Sequence, residues 1–253
     1  MTRSPMSGPL FAFLLISCLF TACSQNNVTE DNSFKRYFDS AGVSGSFGLF
    51  DNGQGHFTIY HLSRFRDSAF LPAGTFDIIQ SLIGVQTGLV KDDSALIKTD
   101  RENGFGQLAQ RIGKDTLKKW IDSLGYGNKN ISGPIDSFWL NNHLKVTSDE
   151  QLGLVKKLYF DQLPFFQHTQ VVVRRMMLTE KNANYQLTYK TALGLKEDGH
   201  TIGWILGWIE ENKHPYFFVL NLESANPNLD VPGSGIAILK SILKQMEFFQ
   251  GKK

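Results

Sequence analysis

Residues 71–79, Leu71-Pro72-Ala73-Gly74-Thr75-Phe76-Asp77-Ile78-Ile79, have the outline of a catalytic helix start. A proline and small residues lead into an apolar helical run that begins at Phe76. Positions three apart on a helix are neighbours. A serine at 74 and a lysine at 77 would therefore pair a nucleophile with its base, the arrangement that serine acyl transfer needs. The two positions hold Gly74 and Asp77. Gly74 supplies no nucleophile, and Asp77 puts a carboxylate where an amine is required. The nearest hydroxyl, Thr75, points about 100° away from position 74 on a helix, so it is no replacement. Asp77 as a general base would need a held water.

Other chemistry is sparse. His56, His61, His143, His168, His200 and His214 show no metal-ligand spacing with another His or Cys, and no glycine-rich phosphate loop occurs. Asp92-Asp93 and Glu210-Glu211 read as solvated charges. Trp204 and Trp208 share one face of a strand, which points to sheet–helix packing, with an aromatic ligand platform as the alternative. No metal and no cofactor is expected. The net charge of +2 over 253 residues gives no basic field for nucleic acid. The 42% hydrophobic content and 20 phenylalanines suit one large globular core.

The elements that must position residues 74 and 77 follow from periodicity. Aromatic residues at Phe34, Tyr37 and Phe38 mark a short helix. Residues 45–50 and 56–61 flank Asp51-Asn52-Gly53-Gln54-Gly55 as a β-hairpin. The helix after Gly74 ends near Gly88, and residues 89–106 read as loop. Short amphipathic helices follow at 107–112 and 115–124. Ser148-Asp149-Glu150-Gln151 resembles a helix cap before residues 152–159, and 169–178 reads as another helix. Strands at 185–191, 202–210 and 216–222 form a meander, and 236–249 is a closing helix. Strands at both ends with helices between predict an α+β fold. In it the hairpin and meander share an antiparallel sheet, with a shortened helical insertion at about 89–180.

The beginning of the chain reads as a leader. Arg3 precedes an apolar run at 10–20, too short for a comfortable membrane span. Thr21-Ala22-Cys23-Ser24 resembles the lipobox of bacterial lipoproteins. That resemblance implies a signal peptide over 1–22, a lipid on Cys23, a flexible tether over 23–33 and a domain over 34–253. The expected location is a periplasmic or outer-membrane lipoprotein, with the membrane as a partner through Cys23.

Five segments together carry a wider resemblance: residues 70–76, Leu124-Gly125-Tyr126-Gly127-Asn128, residues 131–140, Tyr189-Lys190-Thr191, and residues 203–210. In their order and spacing the chain resembles the class D serine β-lactamases and related penicillin-binding sensor domains over 34–250. The resemblance implies a serine nucleophile, a carboxylated lysine three residues on, a Ser-x-Val/Ile relay on a central loop, and a Lys-Thr-Gly edge strand. Residue by residue, the nucleophile place is Gly74 and the base place is Asp77. Only six residues, 101–106, separate Asp100 from Gln107, so the segment bearing the relay serine reads as lost. Lys190 and Thr191 match the edge strand, but Ala192 replaces its glycine. The arginine that would hold a ligand carboxylate falls on Gly235. Trp139, which would shield the modified lysine, is retained. Asp77 is expected to pair with Lys190 and to repel an anionic β-lactam.

The resemblance thus implies a scaffold without its chemistry, with a cell-wall peptide, a β-lactam or a protein partner as the ligand. The alternatives are a hydrolase of β-lactams or related amides working by an altered route, and a remnant with a destabilised helical region.

Overall fold

The two strands at Thr201–Glu211 and His214–Ser224 are buried on both faces along most of their length. A sheet with such a centre must be covered on both sides, and it is. The computed structural model describes residues 27–101 and 104–253, together with Met1. The leader and Cys23 lie outside the described residues.

Strand β1 (Val28–Glu30) precedes a 3-10 turn (Asn32–Phe34) and helix α1 (Lys35–Ala41). Next come β2 (Ser44–Asp51), β3 (His56–Tyr60), α2 (Leu62–Asp67) and β4 (Ala69–Phe70). The 3-10 turn Ala73–Phe76 runs directly into α3 (Asp77–Gln86). Helices α4 (Asp93–Arg101), α5 (Phe105–Ile112) and α6 (Lys114–Leu124) follow, then β5 (Val146–Thr147), α7 (Ser148–Tyr159) and α8 (Gln167–Met176). The chain closes with β6 (Leu178–Lys181), β7 (Gln186–Leu195), β8 (Thr201–Glu211), β9 (His214–Ser224) and α9 (Val231–Gln245).

The main sheet has the order β1-β3-β2-β9-β8-β7-β6. All neighbours are antiparallel except β1 and β3. Hairpin and meander meet where β2 pairs with β9, Phe47 opposite Leu220. On one face α1 and α9 bury Phe38, Phe47, Phe218 and Leu239. On the other, the helices from α3 to α8 bury Phe76, Ile79, Leu152, Trp204 and Phe217. This is the α+β architecture that the sequence predicts.

Several boundaries differ, each for a local reason. Residues 93–101 form α4 instead of loop. Its apolar residues Ala95, Leu96 and Ile97 are consecutive, which hides the helical period, and Leu96 alone is fully buried. Helix α8 ends at Met176, short of the expected residue 178, which with 179–181 pairs with β7. Residues 28–30, expected in the tether, add an edge strand beside β3. The cap of α7 sits one residue earlier than expected, where Thr147 and Glu150 form a reciprocal capping box.

The far end of the β7–β8 hairpin is fastened by one carboxylate. Glu223 on β9 accepts from Arg64 Nη2 at 2.9 Å and Lys196 Nζ at 2.5 Å, and His200 Nδ1 lies 2.9 Å away. Burial alone would raise its pKa; the three partners more than offset this and hold it at about 2, against an ordinary 4.5. A depressed carboxylate stabilises the fold above its unfolded pKa and loses that contribution as pH falls. Glu223→Gln should therefore cost about 1–2 kcal/mol at pH 7, the partly exposed partners being screened by solvent. In thermal melts from pH 6 to pH 2, it should also lose much of the acid-dependent drop between pH 4.5 and about 2 that the wild type shows. A variant with the wild-type acid profile would show that this hub contributes little.

Candidate functional site

The entry to α3 is held from three directions. Trp204 Nε1 donates to Leu71 O at 3.0 Å from the sheet. Ala73 N donates to Trp139 O at 3.1 Å from the helical region. The Thr75 hydroxyl donates to Pro72 O and accepts from Gln151 Nε2, both at 2.6 Å. Fully buried and committed on both sides, Thr75 is structural and offers no nucleophile. Ala73 is held at φ 49°, in the left-handed region that favours glycine. Such strain costs on the order of 1–3 kcal/mol and persists only where the surroundings enforce it.

Gly74 opens onto a cavity of about 260 Å³. Asp77, Asp100, Phe105, Asp136 and Trp139 also line it, with Leu140 and Leu193 at the rim. A Cβ at position 74 would stand 3.3 Å from Asp77 Oδ2 and 3.4 Å from Ala192 Cβ. Packing therefore tolerates a side chain here with slight adjustment; glycine is not demanded by the backbone.

Lys190, only 8% exposed, reaches in from β7. Its Nζ lies 3.5 Å from Asp77 Oδ2 and 2.5 Å from Asp100 Oδ1. Asp77 accordingly receives only part of that charge. Burial drives its pKa up; Lys190 lowers it and Asp100 raises it, leaving it at about 7. From sequence the segment bearing the relay serine reads as lost after Asp100; the structure places Asp100 itself, on α4, against Lys190. The two-residue ion pair anticipated from sequence is thus a carboxylate–ammonium–carboxylate group.

Gly74, Asp77, Lys190, Ala192 and Trp139 do converge. Trp139 is stacked on Phe76 at 5.6 Å and nearly buried. Thr191 and Gly235 do not join them. Thr191 follows Lys190 along the strand and so faces the other side. A Cβ on Gly235 would meet Leu222 Cδ1 at 2.7 Å and Ile205 Cδ1 at 2.9 Å, so this position packs α9 against the opposite face of the sheet. Its assignment to a ligand carboxylate is corrected accordingly. Phe105, Asp136, Leu140 and Leu193 were not singled out from sequence; Asp136 and Leu140 lie in a matching segment and Leu193 close after one, whereas Phe105 gave no signal beyond the start of a short amphipathic helix. Trp204 and Trp208 are buried in the sheet–helix core, not displayed as a platform.

Among the described residues, Asp198, His200 and Glu223 are the group whose ligand atoms could converge on a metal ion. Lys196 Nζ already stands 2.8 Å from Asp198 and 2.5 Å from Glu223, and the carboxylate charge is met there by protein cations.

Similarities to known proteins agree with the fold. Residues 101–246 match the penicillin binding protein transpeptidase domain. The chain is 31% identical to β-lactamase OXA-48 of Klebsiella pneumoniae, over 92% of this chain and 95% of that protein. The solved class D β-lactamase YbXI from Nostoc superposes with a TM-score of 0.79 at 29% identity, covering 86% of this chain and 99% of that one. FUS-1 (OXA-85) from Fusobacterium nucleatum subsp. polymorphum gives a TM-score of 0.79 at 28% identity, with 89% and 100% covered.

Asp77 makes a signed prediction. A carboxyl whose folded pKa is raised stabilises the fold fully below its unfolded pKa of 3.8 and loses that contribution as pH rises to about 7. Relative to wild type, Asp77→Asn should gain thermal stability between pH 4 and pH 8, by on the order of 5 °C. A constant difference across that range would mean that Asp77 titrates normally.

Proposed function

The chain belongs to the penicillin-binding protein transpeptidase domain family and has the class D β-lactamase-like fold, and from that premise we propose that it is a non-hydrolysing binding protein of the cell envelope. One observation carries the reading: position 74 offers no nucleophile, and none of the described residues lining the cavity carries a hydroxyl. The lysine position holds Asp77, whose neighbour Lys190 is engaged by two carboxylates. Acylation requires an activated nucleophile, and the Thr75 hydroxyl is spent on Pro72 and Gln151. The pocket of the family remains, with Trp139 in its wall, and its ligand class is a cell-wall peptide held without a covalent bond. Lipidation of Cys23, after removal of residues 1–22, would hold the domain at the membrane; the lipobox resemblance supports that part.

A second reading rests on Asp77 alone. A carboxyl titrating at about 7 lies in the range useful for a general base, so a water beside it would make a hydrolase that forms no acyl-enzyme.

Two measurements separate these readings. Purified full-length protein incubated with a fluorescent penicillin should show no covalent label after denaturation, and should turn over no nitrocefin. Nitrocefin hydrolysis abolished by Asp77→Ala would establish the second reading, and a stable penicillin adduct would overturn the first. Metabolic labelling with a radioactive fatty acid should mark the wild type and spare Cys23→Ala.

A further inference from the structure

The cavity beside Gly74 carries a charge opposite to what an anionic ligand needs. Three carboxylates, Asp77, Asp100 and Asp136, line it. Among the described residues the ammonium that meets them is Lys190, already engaged by Asp77 and Asp100. Among the described residues Asp136 is met by neutral donors, Gln110 Nε2 at 2.9 Å and the Ser137 hydroxyl at 3.3 Å. A ligand carboxylate entering here would meet like charge in a partly desolvated space.

Asp77 is the most deeply set of the three carboxylates, 7% exposed, with Lys190 Nζ 3.5 Å from its Oδ2. The walls are apolar: Phe105 and Trp139 are nearly buried, whereas Leu140 and Leu193 at the rim are 45% and 49% exposed.

We infer that this cavity binds a primary ammonium group carried on an alkyl stem, the ammonium among Asp77, Asp100 and Asp136 and the stem along Trp139, Leu140 and Leu193. The inference rests on the non-hydrolysing reading above, in treating the cavity as a place of binding. An ammonium brings three donors and no acceptor, which suits a carboxylate-rich floor. Aromatic faces attract cations, and an alkyl stem covers the exposed leucines as a lysine stem covers apolar surface. The group could arrive on a lysine-like side chain of a peptide or on a free diamine, and both share this chemistry.

The test is an amide chemical-shift titration of the full-length protein with three probes: Nα-acetyl-L-lysine amide, 1,4-diaminobutane and hexanoate. At least one amine should saturably shift the amides of Gly74, Gly106, Leu140 and Leu193, while hexanoate leaves them in place. Tighter binding of acetyl-lysine amide identifies a peptide-borne source, and tighter binding of diaminobutane a free diamine. Asp136→Asn should weaken the amine by about tenfold, one charge contact's worth. Asp77→Asn combined with Asp100→Asn releases Lys190, and the preference should reverse toward hexanoate, a change that mere loss of structure would not produce. Hexanoate binding the wild type as well as the amines do, or no probe shifting these amides, overturns the inference. A covalent penicillin adduct would defeat the non-hydrolysing reading while leaving the charge preference measurable. Failure of the amines without an adduct defeats the charge preference alone.

Discussion

A buried ammonium must be paired or it is expelled, and Lys190 on β7 satisfies that rule from two separate helices. Asp77 begins α3 and Asp100 lies near the end of α4. One charge therefore docks the helical region to the sheet at the point where the cavity opens. Most of the remaining contact between the layers is apolar and non-directional; this ionic contact, with the Trp204 and Trp139 hydrogen bonds, sets the register at which the layers meet. Because the two acids divide a single lysine, neither is fully compensated. The raised titration of Asp77 follows first from its burial, and Asp100 adds to it.

What the sequence made legible was whatever repeats with a period or stands alone. The hairpin around Asn52-Gly53, the meander strands and the Gly74/Asp77 replacement were all readable, because turn chemistry, alternation and missing functional groups are local properties. Helix α4 was not, since its consecutive apolar residues give no helical stripe and its single buried anchor, Leu96, is decided by tertiary packing. Asp100 was missed for the same reason: with residues 93–101 taken as loop, nothing pointed it at β7. Gly235 was misread because a family position was transferred without its orientation. The packing of α9 on Ile205 and Leu222 exists only in three dimensions.

The charges that line the cavity share one sign. Asp77 on α3, Asp100 on α4 and Asp136 face it, and Lys190 meets two of them. Residue 74 bears on reactivity, whereas the three carboxylates and the aromatic wall bear on recognition.

The left-handed Ala73 has a mechanical consequence. A turn of that kind costs on the order of 1–3 kcal/mol, against a total stability of about 5–15 kcal/mol for a typical domain. It presents residue 74 to the cavity, and it is enforced from outside by the Trp139 and Trp204 hydrogen bonds. The shape of the cavity mouth is therefore set by its neighbours and does not depend on a side chain at residue 74.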